Sequence, residues 1–332
     1  MAGLRMALVG ATGAVGGAFL DVLEHMKMPV ETLDLLASRR SAGRRLRLGD
    51  QELEVQALDD YDFSACDVAF FSAGGSISDT FAPRATAAGC TVVDNSSRFR
   101  MDPDVPLIVP QINGSLLAEL PQGSLIANPN CSTIQIVKIL DPIQRLFGHR
   151  RSIVSTYQAA SGAGSAAVRE LMAHSRAEPV PSSSEHFPRS LAYNVVPVID
   201  QLFDDGWTRE EVKITRESRK ILRIDDLQIT ATTVRVPVAT GHSVAMYTET
   251  ASPVDRARLL GELEGNPEVV VCGDDEIPTP RAIARPEMTY VGRIRVDPDN
   301  PSGLWTWIVA DNLWVGAAFN GAQIAAALIE RS

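Results

Sequence analysis

Apolar residues fill positions 6–9, a glycine-rich turn follows at 10–17, and Phe19, Leu20, Leu23 and Met26 then recur at helical spacing. A buried strand from Leu4 to Val9, a turn and an amphipathic helix are expected in that order. The alternation repeats, with strand-like runs at 30–37 and 67–72, a helix-like run at 79–88 and a short apolar run at 90–94. Strands alternating with helices predict a doubly wound parallel sheet of α/β class. Beyond Cys131 the texture shifts to longer alternating runs at 152–158, 227–237 and 244–250, the pattern of an antiparallel sheet in a second, α+β domain. The stretch 177–188 (AEPVPSSSEHFP) reads as an extended loop inside that domain, because apolar patterning resumes at once. Residues 316–329 carry small and apolar side chains at helical spacing, and no repeat or low-complexity tract interrupts the chain.

Composition narrows the picture without changing it. The 332 residues suit two domains at about 150 residues each. With 45% hydrophobic and 22% charged residues the chain should bury a core rather than stay disordered. A net charge of −10 opposes general attraction to nucleic acid or to an anionic membrane, so neither partner is expected. The start of the chain lacks the pattern of a secretory leader, and no run is long and apolar enough to span a bilayer. Four scattered cysteines without a CxxC pair predict free thiols, no metal site and a reducing, cytoplasmic setting.

The first candidate chemistry lies in the turn after the first strand. Gly10, Gly13 and Gly16 stand where bare backbone lets a pyrophosphate rest on a helix N-terminus. A second strand ending near Ser38 would present an acid to the ribose in an NAD site, but here the chain reads Ser38-Arg39-Arg40-Ser41. Two guanidiniums and two hydroxyls suit a 2′-phosphate, which predicts NADP over NAD; a solvated basic loop is the alternative reading of the same pair.

The second candidate is Cys131, in Asn128-Pro129-Asn130-Cys131-Ser132-Thr133 ahead of Ile134, Val137, Ile139 and Leu140. That pattern sets the thiol at a helix N-terminus, where free N–H groups favour the thiolate. Cys66, Cys90 and Cys272 lie in apolar, strand-like settings and read as buried structural thiols. A nucleophilic cysteine beside a nicotinamide cofactor suits aldehyde-level redox chemistry through an acyl thioester.

Eight blocks then point the same way: GATGAVG at 10–16, SRRSAG at 38–43, DNSSRFRMD at 94–102, NPNCST at 128–133, TYQAASGAG at 156–164, EEVK at 210–213, RVPVATGHS at 235–243 and DNLWVGAA at 311–318. Together, in this order and over nearly the whole chain, they resemble the aspartate-semialdehyde dehydrogenase family. The resemblance implies a Rossmann-type NADP-binding domain at 1–130 plus about 312–332, and a catalytic and dimerisation domain at 131–311. It also implies a homodimer or homotetramer. The implied reaction is the NADPH-dependent reductive dephosphorylation of L-4-aspartyl phosphate to L-aspartate 4-semialdehyde and phosphate, in lysine, diaminopimelate, methionine and threonine synthesis.

Roles carry over residue by residue. Cys131 matches the nucleophile, His242 the acid/base, and Asn130 and Gln158 the amides lining the acyl site. Arg235 matches the group that grips the substrate carboxylate, Glu210 the one that meets its ammonium, and Arg100 and Lys213 the phosphate ligands. Gly10, Thr12, Gly13, Ala14, Val15, Gly16, Ser38, Arg40, Ser41, Ser161, Gly162 and Asn312 match cofactor contacts. A histidine with an ordinary pKa near 6.5 is expected to take the thiol proton and later serve the thiohemiacetal oxygen; His25, His149, His174 and His186 sit in no such motif. Taken alone, Glu210 and Lys213 are an ordinary helical ion pair, and Glu217 and Lys220 repeat that spacing as a structural pair. Two positions depart from the family pattern: Val315 lacks a basic residue that many relatives carry, and Gln111 replaces an acid. Related reductases of N-acetylglutamyl phosphate or malonyl-CoA, and a non-catalytic nucleotide-binding paralogue, remain as alternatives; Glu210, an anion suited to a free ammonium, disfavours the acylated substrate.

Overall fold

The computed structural model describes residues 3–329, which fall into two compact units: 3–130 with 317–329, and 131–316. The first unit contains β1 (Leu4–Val9), α1 (Ala14–Met26), β2 (Val30–Ala37), β3 (Arg45–Leu48), β4 (Gln51–Ala57), β5 (Val68–Phe71), α2 (Gly75–Ala87), β6 (Thr91–Asp94), α3 (Pro110–Asn113), β7 (Leu125–Ala127) and a C-terminal helix, Phe319–Ile329. Its sheet runs β3-β4-β2-β1-β5-β6-β7, with every ladder parallel except the β3–β4 hairpin at the edge. From β1 the chain winds outward through β2 and β4, then returns to β5 on the other side of β1. The carboxyl end of β1 therefore lies at the switch point where open α/β sheets bind ligands.

Both faces of this sheet are covered. Ala7, Val9, Leu36, Ala69, Phe71 and Val92 pack with Phe81 and Ala85 of α2 on one side. On the other, Phe19 of α1 stacks on Phe70 with ring centroids 4.2 Å apart. Burying either ring contributes about 2 kcal/mol. Gly321 of the C-terminal helix meets the Phe70 ring where no Cβ would fit.

The second unit contains α4 (Cys131–Phe147), β8 (His149–Gln158), α5 (Ser165–His174), α6 (Arg209–Leu222), β9 (Ile229–Arg235), β10 (His242–Thr250), α7 (Arg256–Glu264), β11 (Val269–Val271), β12 (Thr289–Asp297) and β13 (Asn300–Ala310). Its sheet runs β11-β12-β13-β10-β8-β9. The ladders β12–β13, β13–β10 and β10–β8 are antiparallel, while β8–β9 and β11–β12 are parallel. The sheet is thus mixed rather than antiparallel, because the long connection through α5 and α6 returns β9 beside β8 in the same direction. Ile136, Ile139, Leu140 and Ile143 of α4, Ile214 of α6 and Leu259 of α7 cover one face over Val154, Val244, Met246 and Ile308. The opposite face keeps Ile153, Tyr157 and Trp305 exposed, with Tyr157 against Trp307 and Tyr247 against Trp305. Among the described residues no helix is long and apolar enough to cross a membrane.

Candidate active site

Strand ends bring the candidate residues of the second unit to one edge of its sheet. β8 ends at Gln158 and its parallel neighbour β9 ends at Arg235, paired in register. β10 runs the opposite way and so begins beside that edge, at His242. β13, antiparallel to β10, pairs Ala310 with His242, and Asn312 follows two residues later. Gln158, Arg235 and His242 are all buried. Cys131 opens α4 with a half-buried thiol, placed at the N–H-rich end of the helix. Gly316 lies against it: a Cβ there would stand 2.6 Å from the Cys131 Cβ.

The backbone of Ala159 orients two side chains. Its N–H donates to His242 Nδ1 at 3.0 Å, and its carbonyl accepts from Arg235 Nη1 at 2.7 Å. A backbone N–H can only donate, so Nδ1 is the acceptor nitrogen and the neutral ring carries its hydrogen on Nε2. Burial first, and the Arg235 charge second, push the imidazole down to about 3, against the opposing pull of Glu210. Nε2 is buried without a hydrogen-bond partner among the described residues. A Cβ at Gly162 would lie 2.7 Å from Arg235 Nη1 and 3.3 Å from His242 Nε2, so the missing side chain keeps both groups approachable. The expectation that this imidazole takes the thiol proton therefore meets an obstacle, since the open nitrogen is already protonated. The geometry suits donation to an oxygen.

Burial also lowers the Arg235 guanidinium below its ordinary value, with the charges of Glu210 and Cys131 opposing. Glu210 is buried, accepts from Gln158 Nε2 at 3.1 Å and pairs with Lys213 at 3.1 Å. The helical spacing of Glu210 and Lys213 thus forms a real pair, but Lys213 is also held 2.8 Å from Asp200. Thr208 and Glu211 close a capping box at the start of α6, and Glu211 accepts from Thr233 N at 3.1 Å, fixing the helix to β9. Ser161 Oγ and Gly241 N both donate to Asn312 Oδ1, at 3.0 and 2.9 Å. Asn312 accordingly lies in the second unit, and the return expected at about 312 comes at Ala317. The physical reason is local: Asp311 accepts from Leu313 N and Trp314 N, and a π-turn at Trp314–Ala318 carries the chain onward, with Val315 fully buried in it.

The first unit holds the remaining candidates. Gly10 has φ of +90°, and a Cβ at Gly16 would come 2.5 Å from the Gly10 carbonyl oxygen, so the turn requires both glycines. Gly13 caps α1 without a side-chain hydrogen bond, and no acid occupies the first turn. The amides around Thr12, Ala14 and Val15 therefore form an N-terminus open to an anion. Ser38 precedes a 3₁₀ turn at Arg39–Ser41, on which Arg40 is exposed, whereas Arg39 is bound to Asp59 and Asp60. Buried Arg100 donates to the Asn95 carbonyl at 2.8 Å, and Asn130 is also buried. Gln111 Nε2 donates to Gln323 Oε1 at 3.0 Å. Of the three remaining thiols, Cys66 and Cys90 are buried with Sγ atoms 2.7 Å apart, but Cys272 is only half-buried, short of the full burial expected.

The model of the semialdehyde dehydrogenase NAD binding domain matches residues 5–120, and that of the semialdehyde dehydrogenase dimerisation domain matches residues 140–315. An aspartate-semialdehyde dehydrogenase of Legionella pneumophila is 45% identical over 97% of this chain and 94% of its own length. One from Bacillus subtilis is 44% identical over 98% and 97%. The chain belongs to the aspartate-semialdehyde dehydrogenase family. A crystal structure of aspartate semialdehyde dehydrogenase II from Vibrio cholerae, described as complexed with ASA, superposes with a TM-score of 0.96 at 40% identity, covering 99% of this chain and 98% of that one. The doubly wound first unit and the mixed-sheet second unit are the architecture of this family.

Several residues that serve the family's blocks carry no motif of their own. Asp200 stands 13 positions before Lys213 with φ of +67°, and only the fold brings the two together. Asn95 receives both Arg100, through its carbonyl, and Asn128, through its side chain at 2.8 Å; Asn320 in turn donates to Asn128 at 2.7 Å. Two buried amides, Asn128 and Asn320, and the half-buried Asn95 tie the Arg100 loop to the turn that leads into Cys131. Their sequence signal is confined to Asn95 and Asn128 falling inside two of the eight blocks.

Proposed function

We propose that this chain catalyses the NADPH-dependent reductive dephosphorylation of L-4-aspartyl phosphate to L-aspartate 4-semialdehyde and phosphate, feeding lysine, diaminopimelate, methionine and threonine synthesis in the cytoplasm. The observation that carries the reading is the buried Nε2–H of His242, unpartnered among the described residues, beside Arg235 at the sheet edge that also holds Gln158.

In this reading the first unit binds the nucleotide and the second carries the chemistry. The helix N-terminus and the Arg235 cation favour the Cys131 thiolate, which attacks the acyl carbon. A C–S bond forms, the C–O bond to phosphate breaks, and Arg100 and Lys213 receive the leaving phosphate. His242 Nε2–H donates to the oxygen that gains charge in each tetrahedral species, with the Gln158 and Asn130 amides beside the acyl group. Arg235 grips the substrate carboxylate, a task for a bidentate guanidinium, and Glu210 meets the ammonium. Once the acyl carbon has gained hydride, breaking the C–S bond releases the aldehyde and regenerates the thiolate; the proton that leaves with phosphate is taken up from solvent, so the reduction consumes one proton overall.

NADP fits the first unit's own features: a glycine turn that a Cβ would fill, an uncapped α1 N-terminus, and Arg40 with Ser38 and Ser41 at the end of β2. Ser161, Gly162 and Asn312 are proposed to contact the nicotinamide end. The cofactor, when bound, supplies the hydride that reduces the acyl carbon. The aromatic face of the second sheet, exposed Tyr157, Trp305 and Ile153 with half-buried Tyr247 and Trp307, is the proposed homodimer surface; contiguous aromatic area is what subunit interfaces favour.

The test is the reverse reaction. Purified protein with L-aspartate 4-semialdehyde, phosphate and NADP should form NADPH in a phosphate-dependent way. Activity only on N-acetylglutamate semialdehyde would replace the substrate, and silence on both with NADPH still bound would favour a non-catalytic paralogue.

A further inference from the structure

β2 and β4 run parallel and end side by side, with Ala37 paired to Ala57, and each then enters a 3₁₀ turn at the carboxyl edge of the sheet. The β2 turn carries Arg39 and Arg40; the β4 turn carries Asp59 and Asp60. Arg39 bridges the two: Nη2 donates to Asp60 Oδ1 at 2.6 Å and Nε lies 3.2 Å from Asp59 Oδ2. All three side chains are solvent-exposed. Such ion pairs add little stability, and the β2–β4 ladder with buried Leu58 already fixes the turns. What the pair does change is the field at the end of β2. Two arginines read from sequence as a doubly cationic pocket, but two carboxylates from a separate segment cancel that charge and occupy one guanidinium.

We propose that Asp59 and Asp60 are cofactor-specificity residues, holding Arg39 off the nucleotide and opposing a 2′-phosphate, so that discrimination between NADP and NAD rests on Arg40 with Ser38 and Ser41. This deepens the nucleotide reading above and rests on it. The chain then accepts both nucleotides with a narrower preference than an unopposed arginine pair would give. Replacing both carboxylates removes repulsion and frees a second guanidinium for the phosphate.

Binding of NADPH and of NADH, followed by nucleotide fluorescence on the intact enzyme, and the ratio of kcat/KM for NADP and NAD provide the test. The pair Asp59→Asn/Asp60→Asn should tighten NADPH by about threefold or more, with NADH changed less than about twofold, and the gain should shrink in high salt. Asp60→Asn alone should give a smaller shift of the same sign. Arg40→Ala should collapse the ratio. An Arg40→Ala effect together with an unchanged or reduced ratio in the asparagine pair overturns the proposal and leaves the nucleotide reading standing. An unchanged ratio in Arg40→Ala overturns both.

Discussion

At the residue scale, the fate of one proton separates this site from a simple cysteine–histidine dyad. Ala159 N–H occupies His242 Nδ1, so the ring's open nitrogen, Nε2, is a donor. Its depressed pKa also ties it to stability. An unfolded histidine near pH 6.5 binds a proton that the folded ring, at about 3, refuses; stability is therefore complete above about 6.5 and falls as pH drops toward 3. Between pH 6.5 and 5 this group alone should cost about 1.5 kcal/mol, and urea unfolding of wild type against His242→Asn at both pH values measures it. Cys131→Ala should abolish turnover yet leave NADPH binding within about threefold, because in the proposed reaction the thiol forms the covalent bond without holding the cofactor. Gly162→Ala should lower kcat by about tenfold or more with little change in Tm, since the new methyl would crowd Nη1 and Nε2. Steady-state rates and a thermal melt decide that case.

Elements explain how much of this was legible. β1 and β2 have the bounds that periodicity predicts, because their apolar runs are closed by turn residues on both sides. The β3–β4 hairpin escapes the same reading, as its alternating charges (RLRL, QELEVQA) resemble a solvated loop until paired. β11, β12 and β13 are hidden likewise, since β12 and β13 mix charged, glycine and aromatic positions over an exposed face. For the candidate site, motifs mark Cys131, Gln158, Arg235 and His242, but the contacts of the Ala159 backbone and the ion pairs of Asp200 and Asp59–Asp60 depend on atoms or separations that spacing does not encode. A cap prediction belongs here. Thr208→Ala should destabilise by about 1 kcal/mol and fray the turn bearing Glu210 and Lys213, raising KM for the phosphorylated substrate more than it lowers kcat. Urea unfolding and steady-state kinetics check the two halves.

For the whole molecule, the aromatic face of the second sheet gives a direct expectation. In the proposed homodimer, Trp305→Glu should shift the protein toward monomer in sedimentation velocity, because an unpaired carboxylate would have to be buried between subunits. A dimer of unchanged strength would remove this face from the interface. The close approach of Gly316 to Cys131 carries a separate meaning. The second unit begins at one of these residues and ends at the other, so its two ends meet although 184 residues separate them. Such a segment is topologically a cassette: it leaves and re-enters the nucleotide-binding chain at a single point. All seven strands of the first sheet precede this segment, so that sheet is complete before the segment begins at Cys131.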